Sequence, residues 1–257
     1  MRIWIVLLLS FITFSFAHAE IQRQTIEYKQ GDAVLEGYLS YDTNFTGQRP
    51  GVLVVHEWKG LNDYAKMRAD MLADLGYVAF AADIYGKGIR PQSTEQAGAQ
   101  AGKYKGDRPL LRQRVEAGLA ELKSQPNVDA TKLAAIGYCF GGTTVLELAR
   151  AGANIKGVVS FHGGLSTPTP ADAKHIKARV LVLHGADDPF VSPEEVAGFE
   201  KEMTDAKVKY QLIPYPGAVH GFTNPANIGD LKGALYNKEA DQKSWEEMQK
   251  FFKEIFI

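Results

Sequence analysis

The chain has 257 residues, of which 45% are hydrophobic and 23% charged, and its formal net charge at pH 7 is −1. A chain this close to neutrality has no electrostatic reason to bind nucleic acid or an anionic membrane surface, and its composition is not that of a disordered protein. Because α/β folds often exceed ~200 residues as one unit, we expect a single domain with a sizeable core.

The first nineteen residues differ from the rest of the chain. A positive charge near the start precedes an apolar run over residues 3–17, and Ala19 completes an A-x-A pattern. This order is typical of a cleaved signal peptide. A membrane anchor is the alternative, but a spanning helix needs about 20 apolar residues and this run is shorter. We therefore expect residues 1–19 to be removed, leaving a soluble periplasmic or secreted protein of residues 20–257 with no membrane partner.

Strand-like and helix-like segments alternate along the mature chain. Residues 21–28 and 33–41 alternate apolar and polar side chains, which predicts an antiparallel hairpin. Short apolar runs follow, of the kind found in strands buried on both faces, at residues 51–55, 78–82, 133–137, 157–161, 180–183 and 208–213. With helices between them, these runs predict a mostly parallel, twisted sheet covered by helices on both faces.

The predicted helices lie between these strands. The first is capped by Asn62 or Asp63 and ends at Gly76, and its expected buried face consists of Tyr64, Met67, Met71 and Leu75. Later helices are predicted after Asp107, from Phe140, after Ser192-Pro193 and over residues 238–252. Residues 86–105 show weak periodicity, and we interpret them as an irregular excursion near the functional site.

The only cysteine, Cys139, lies in the segment G-Y-C-F-G-G at 137–142, between a predicted strand and a predicted helix. This is the G-x-nucleophile-x-G turn, with cysteine in the position usually held by serine. Its glycines suit a sharp turn, and a helix N-terminus favours a thiolate. The backbone N–H of Phe140 would then donate to a developing oxyanion. The alternative is a glycine-rich turn with an incidental cysteine.

A nucleophile in such a turn needs an acid and then a histidine later in the chain. Asp188 follows the strand at 180–183, and His220 follows the strand at 208–213. Both would stand at the carboxyl end of the sheet, where functional groups of parallel sheets gather. Asp187 is the alternative acid. We favour Asp188 because of its G-x-x-D spacing from the preceding glycine.

The segment H-E-W-K-G at 56–60 follows the first predicted parallel strand, where such folds place a second oxyanion donor. We assign that donor to the backbone N–H of Trp58. On position alone, Glu57 is either a contact of the thiol or a solvated loop acid. Three other histidines end strands but lie in the wrong chain order for a catalytic base, so we expect hydrogen-bonded supporting roles for His56, His162 and His184.

From about residue 52 to residue 222 the sequence resembles the dienelactone hydrolase family of the α/β-hydrolase superfamily. The motifs that carry the resemblance are H-E-W-K-G-L at 56–61, D-I-Y-G at 83–86, G-Y-C-F-G-G at 137–142, G-A-D-D-P-F-V at 185–191 and H-G-F at 220–222. The resemblance implies an α/β-hydrolase fold and carboxymethylenebutenolidase-like hydrolysis of small esters or lactones, without a metal or organic cofactor.

The resemblance also implies roles for single residues. Cys139, His220 and Asp188 would form a catalytic triad that works through a thioacyl-enzyme intermediate. Glu57 would hold the thiol in the resting enzyme and help to form the thiolate when substrate arrives. Two alternatives remain open: an exported, non-catalytic binding protein on the same scaffold, and a cysteine peptidase.

The sequence departs from the family where substrate is bound. Family members that open a charged dienelactone grip its carboxylate with arginines, whereas this chain has Lys87 after D-I-Y-G and Asn224 after the histidine motif. Lysine is a point charge and does not replace the bidentate fork of arginine. Tyr85, Lys87 and Phe222 are the candidate substrate contacts. The departures favour neutral or weakly charged esters and lactones.

Overall fold

The computed structural model describes residues 20–257, so the predicted signal peptide lies outside the described residues. The eight strands of this part of the chain are β1 (Ile21–Gln30), β2 (Ala33–Asp42), β3 (Arg49–Val55), β4 (Val78–Ala82), β5 (Val128–Tyr138), β6 (Gly157–Phe161), β7 (Arg179–Gly185) and β8 (Tyr210–Tyr215). The helices are α1 (Asp63–Asp74), α2 (Thr94–Gly106), α3 (Arg108–Ser124), α4 (Phe140–Arg150), α5 (Pro193–Asp205) and α6 (Lys238–Ile255), with a short 3-10 helix at Pro170–His175.

All eight strands belong to one sheet, in the order β1-β2-β4-β3-β5-β6-β7-β8. The β1–β2 hairpin is antiparallel and joins the sheet through an antiparallel contact of β2 with β4. Every other pair in the sheet is parallel. The predicted α/β fold, with a mostly parallel sheet and an N-terminal antiparallel hairpin, is therefore confirmed.

The sheet carries an apolar cluster on each face. Leu53 and Val55 of β3 point into one cluster, and Val52 and Val54 point into the other. Helices α3, α4 and α5 close the first cluster, and α1 and α6 close the second. Burial on both faces explains why the central strands are continuous apolar runs rather than alternating ones. Within residues 20–257 no helix is long and apolar enough to cross a bilayer.

The prediction for α1 was correct for the element and for Tyr64, which packs against the second cluster, but wrong for part of its buried face. Asn62 caps the helix, since its side chain accepts a hydrogen bond from the backbone N–H of Ala65. Met67 and Leu75, which we expected in the core, are each 40% exposed. The helix instead buries three alanines, Ala65, Ala69 and Ala73, together with Leu72 and Arg68. Alanines let the helix lie close to the sheet, and hydrophobicity alone points to the larger residues.

Helix α2 occupies part of the segment that the sequence indicated to be irregular. It buries Ala97, Ala101 and Tyr104, which are spaced four and three residues apart. That spacing is helical, but two of the three side chains are methyl groups and Gly98 and Gly102 interrupt the pattern. The apolar signal was therefore too weak to distinguish a helix from a loop.

The topology brings distant parts of the chain to one edge of the sheet. Because β3 to β8 run parallel, their carboxyl ends lie together. Cys139 follows β5, Asp188 follows β7 by three residues, and His220 follows β8 by five. The fold therefore gathers these three side chains at the edge where α/β sheets place functional groups.

Candidate active site

Cys139 lies in a strained turn between β5 and α4. Its φ is 54°, in the left-handed region that non-glycine residues rarely adopt. The turn requires glycine nearby, since a Cβ atom on Gly137 would lie 2.0 Å from the carbonyl oxygen of Gly141. The strain and the glycines together present a half-buried thiol at the N-terminus of α4.

The thiol meets a histidine that is itself held by an aspartate. Cys139 Sγ lies 3.0 Å from His220 Nε2, and His220 Nδ1 lies 2.8 Å from Asp188 Oδ2. The other carboxylate oxygen of Asp188 accepts the backbone N–H of Phe190 at 2.9 Å. The neighbouring Asp187 is turned away, and its exposed carboxylate accepts a hydrogen bond from the backbone of a later turn. Of the two candidate acids, it is thus Asp188 that contacts the imidazole.

The electrostatics of this group favour the protonated form of His220. Burial would lower the pKa of His220, but the Cys139 sulfur and the hydrogen-bonded Asp188 carboxylate outweigh burial and raise that pKa to about 10. In a protonated His220 the Nε2 proton faces the Cys139 sulfur, so the two side chains have the geometry for exchanging a proton. The arrangement can therefore supply a nucleophilic sulfur and, from the imidazole of His220, a proton for a leaving group.

Two backbone N–H groups stand free near the nucleophile. Phe140 begins α4 and Trp58 lies in the loop after β3, the strand beside β5. Within residues 20–257 neither N–H donates to another part of the protein. The hydroxyl of Tyr85 fixes the Trp58 loop, because it donates to the Trp58 carbonyl at 2.9 Å. Stabilisation of an oxyanion needs such unused N–H groups, and these two follow neighbouring strands of the sheet.

Glu57 is buried beside the site, and its contacts differ from those implied by the resemblance. Its carboxylate accepts a hydrogen bond from the Asn224 side chain at 2.6 Å. The Cys139 thiol contacts His220 rather than Glu57. Burial raises the pKa of Glu57 above its usual value, and the Asn224 contact only partly opposes this effect. The structure therefore brings Glu57 to the site with a neutral amide as its partner, in the place where an arginine was expected.

The three candidate substrate contacts lie in different surroundings. Lys87 forms an exposed ion pair with Glu27 of β1, and no contact joins it to the thiol among the described residues. Phe222 is fully buried, with its ring 5.1 Å from that of His162. Tyr85 is also buried, 2% exposed, and contacts the Trp58 loop. The structure does not bring Lys87 into the group around Cys139.

Sequence reasoning missed one residue of this group. The ring of Phe190 lies edge-on to His220, with ring centroids 5.2 Å apart, and the residue is 51% exposed. A half-exposed aromatic ring beside the reactive histidine gives the site an apolar wall. The signal was present in the motif G-A-D-D-P-F-V, where the ring follows the acid by two positions.

His56 has the supporting role that was expected of it. Its Nε2 accepts the backbone N–H of Ile84 at 3.2 Å, so its proton lies on Nδ1, which donates to the Glu57 carbonyl at 2.6 Å. Burial lowers the pKa of His56 to about 4, so the ring is neutral. Within the described residues no cluster of histidine, cysteine, aspartate or glutamate has the arrangement of a metal site.

Comparison with known proteins identifies the family. The sequence profile of the dienelactone hydrolase family matches residues 35–256. The chain belongs to this family. A Bradyrhizobium protein named "Probable 2-oxo-3-(5-oxofuran-2-ylidene)propanoate lactonase" is 33% identical over 187 residues, which cover 69% of this chain and 75% of that protein.

Two solved structures are similar over nearly their whole length. The protein named "m3DLH" is 42% identical with a TM-score of 0.89, covering 92% of this chain and 99% of its own. A dienelactone hydrolase-like promiscuous phosphotriesterase from metagenomic libraries is 40% identical with a TM-score of 0.89, covering 93% of this chain and 100% of its own. This dienelactone hydrolase family member is therefore a hydrolase of carboxylic esters or lactones.

Proposed function

We propose that the enzyme hydrolyses small, neutral esters and lactones through a thioacyl intermediate on Cys139. The observation that carries the proposal is the contact of Cys139 Sγ with His220 Nε2 at 3.0 Å, with Asp188 on the opposite ring nitrogen at 2.8 Å. This is the constellation of a nucleophile, a base and an orienting acid that acyl transfer requires.

The reaction proceeds in two balanced steps. The Cys139 thiolate attacks the carbonyl carbon, and the N–H groups of Phe140 and Trp58 stabilise the oxyanion. As the intermediate collapses, the ester C–O bond breaks and the His220 proton passes to the leaving oxygen, which leaves a thioacyl-enzyme. His220 then takes a proton from water, and the resulting hydroxide attacks the thioester. The acid departs, and the thiolate and the protonated His220 are restored.

The decisive test of this mechanism removes the sulfur. We expect Cys139→Ala to lower ester hydrolysis by roughly 10⁴ or more, as triad deletions do. Cys139→Ser should retain little activity, since serine is far less acidic than cysteine. Stoichiometric alkylation of the single cysteine should abolish turnover in parallel. Near-normal hydrolysis by the alanine variant would refute the mechanism, and turnover of peptides but not esters would favour a cysteine peptidase.

The charges around the site support a neutral substrate. Lys87 is paired with Glu27, and the Asn224 amide is occupied by Glu57. A hydrogen bond to a charged group is worth about 1.5–3 kcal/mol, so a lost arginine contact lowers kcat/KM for a carboxylate substrate by roughly 10- to 150-fold. The half-exposed Phe190 ring offers an apolar contact instead.

The substrate proposal is tested with a matched pair of compounds. We expect a higher kcat/KM for the methyl ester of a lactone acid than for the free carboxylate, and Asn224→Arg should shift the ratio toward the acid. A tenfold preference for the acid that disappears in Lys87→Ala would show instead that lysine anchors the anion.

The same preference for uncharged substrates favours a second candidate activity, hydrolysis of phosphotriesters. The metagenomic relative is described as a promiscuous phosphotriesterase and shares 40% identity. A triester carries no charge. The thiolate would attack phosphorus and form an S–P bond while the P–O bond to the best leaving group breaks and His220 protonates that group. Water that gives a proton to His220 would then break the S–P bond, which releases the phosphodiester and restores the thiolate. Release of p-nitrophenol from a neutral dialkyl p-nitrophenyl phosphate, absent in Cys139→Ala, is the expected result. Equal release by both proteins would exclude this activity for the site.

A further inference from the structure

Two of the strained backbone positions in the molecule are bonded to each other. Among residues 20–257 the non-glycine residues with positive φ are Cys139 at 54°, His162 at 39° and Lys207 at 57°. The backbone N–H of Cys139 lies 3.1 Å from Nδ1 of His162. Backbone strain of this kind persists only where the surrounding structure over-determines it, and it concentrates at functional sites. The pairing therefore indicates a functional role for His162, although no step of the mechanism uses this residue.

The hydrogen bonds fix the protonation state of His162. A backbone N–H can only donate, so Nδ1 is the acceptor and the ring proton lies on Nε2. The residue is 1% exposed, and burial, followed by the positive charges of His220 and Arg68, lowers its pKa well below the usual value. The same Cys139 N–H also donates to the Phe161 carbonyl at 3.0 Å, so the turn keeps one bond without the imidazole.

The other nitrogen of His162 reaches the loop that carries the catalytic base. Nε2 lies 2.7 Å from the hydroxyl of Thr223, three residues after His220. That hydroxyl is 2.6 Å from the Tyr64 hydroxyl, and the Thr223 carbonyl accepts Arg68 Nη2 at 2.7 Å. Arg68 is bound in turn to Asp241 of α6 at 2.6 Å. Thr223 is thus fixed to α1 and, through Arg68, to α6, and His162 connects this fixed point to the nucleophile.

We propose that His162 is a positioning residue: a neutral imidazole that holds the nucleophile turn and the histidine loop at the separation at which Cys139 Sγ and His220 Nε2 meet. It is not a second base, because both ring nitrogens are occupied and its ring meets His220 edge-on at 5.4 Å. The proposal rests on the proposed function of Cys139 and His220. In this role His162 contributes to the geometry of the reacting atoms, and this contribution can be measured apart from any effect on the stability of the protein.

Three substitutions of His162 separate the contributions of its two hydrogen bonds. In His162→Asn the amide oxygen can replace Nδ1, and in His162→Gln the amide can reach the place of Nε2, whereas His162→Leu provides neither bond. We expect His162→Leu to lower kcat about 100-fold with KM changed less than threefold, since a displacement near 1 Å in a reacting pair costs this much. Asparagine and glutamine should each restore part of the loss.

A second readout distinguishes positioning from a structural role. The rate of alkylation by iodoacetamide between pH 6 and pH 9 reports the thiolate, and we expect His162→Leu to lose most of the reactivity at pH 6 while its melting temperature still shows a folded protein. The exposed His175 is the matched control, and His175→Leu should leave kcat and the alkylation profile unchanged.

The outcomes against the proposal are definite. A folded His162→Leu protein with the wild-type kcat and the wild-type alkylation profile would overturn it. If His162→Leu does not fold, Thr223→Val and Thr223→Ser test the same bridge from its other end, and equal kcat in these two overturns it as well. Failure of the proposed function looks different, since Cys139→Ala would then keep hydrolysing esters whatever His162 does.

Discussion

At the scale of single residues, two adjacent aspartates differ in what they touch. We expect Asp188→Asn to lower kcat by roughly 10⁴, as in comparable triads, because an amide leaves His220 in the wrong tautomer. Asp187→Asn is the matched control and should cost little, since its carboxylate contacts only the backbone of an exposed turn. Steady-state kinetics of both variants on one ester decide the point, and the reverse ranking would assign the acid to Asp187.

The buried Glu57 carboxyl predicts a pH-dependent stability. Its raised pKa means that folding disfavours its charged form, so the cost is absent below the ordinary glutamate pKa and grows as pH rises through the folded-state pKa. Glu57→Gln removes this cost while keeping an acceptor for Asn224.

Glu57→Gln should therefore raise the melting temperature at pH 8, by roughly 2–4 °C per kcal/mol removed, and much less at pH 4. Calorimetric melting curves of the wild type and the variant at both pH values test this. An equal shift at pH 8 and pH 4 would contradict the assignment of the cost to a buried charge.

The sequence predicted the individual site residues better than their partners. Cys139, Asp188 and His220 could be proposed because each sits in a short motif that follows a predicted strand. The contact of Glu57 with Asn224 joins positions 167 residues apart, and no local pattern encodes it. The bridge through His162 is equally non-local, since it depends on the register of strands and the docking of α1 and α6.

At the scale of secondary-structure elements, the close approach of α4 to β3 depends on glycine. A Cβ atom on Gly141 would lie 2.2 Å from the Val55 carbonyl oxygen, so Gly141→Ala should destabilise the protein by about 1–3 kcal/mol or more. The matched control is Gly102→Ala in α2, where nothing lies within 4 Å and alanine should stabilise by about 0.5–1 kcal/mol. Urea unfolding of the two variants measures the change in the free energy of unfolding for each. A Gly141→Ala variant as stable as the wild type would contradict the close packing of α4 on β3.

Elements with a strong apolar pattern in the sequence were predicted better than elements with a weak one. The strand at Gly157–Phe161 and the start of α4 at Phe140 were predicted at their observed bounds, because a glycine and large apolar side chains mark the strand and the glycine-rich turn precedes the helix. In α1 and α2 the buried faces consist largely of alanine, whose side chain carries little hydrophobic signal. The helices with alanine-rich buried faces were therefore the hardest to orient or to detect.

At the scale of the whole molecule, we propose export with removal of the first nineteen residues. The A-x-A pattern predicts cleavage after Ala19, immediately before the first strand of the folded domain. N-terminal sequencing of the exported protein should therefore begin at Glu20. Recovery of membrane-bound protein that still carries Met1 would contradict cleavage and make the apolar run an anchor.

The order of the strands has a consequence for folding. The thiol and the imidazole that it contacts are 81 residues apart, and the imidazole follows β8, which is last both in the chain and in the sheet. An intermediate could bury the central strands and regain most of its secondary structure without completing the site. Non-local contacts of this kind form late and slowly. In refolding, the return of ester hydrolysis should therefore lag behind the far-UV circular dichroism signal and report when β8 docks on β7.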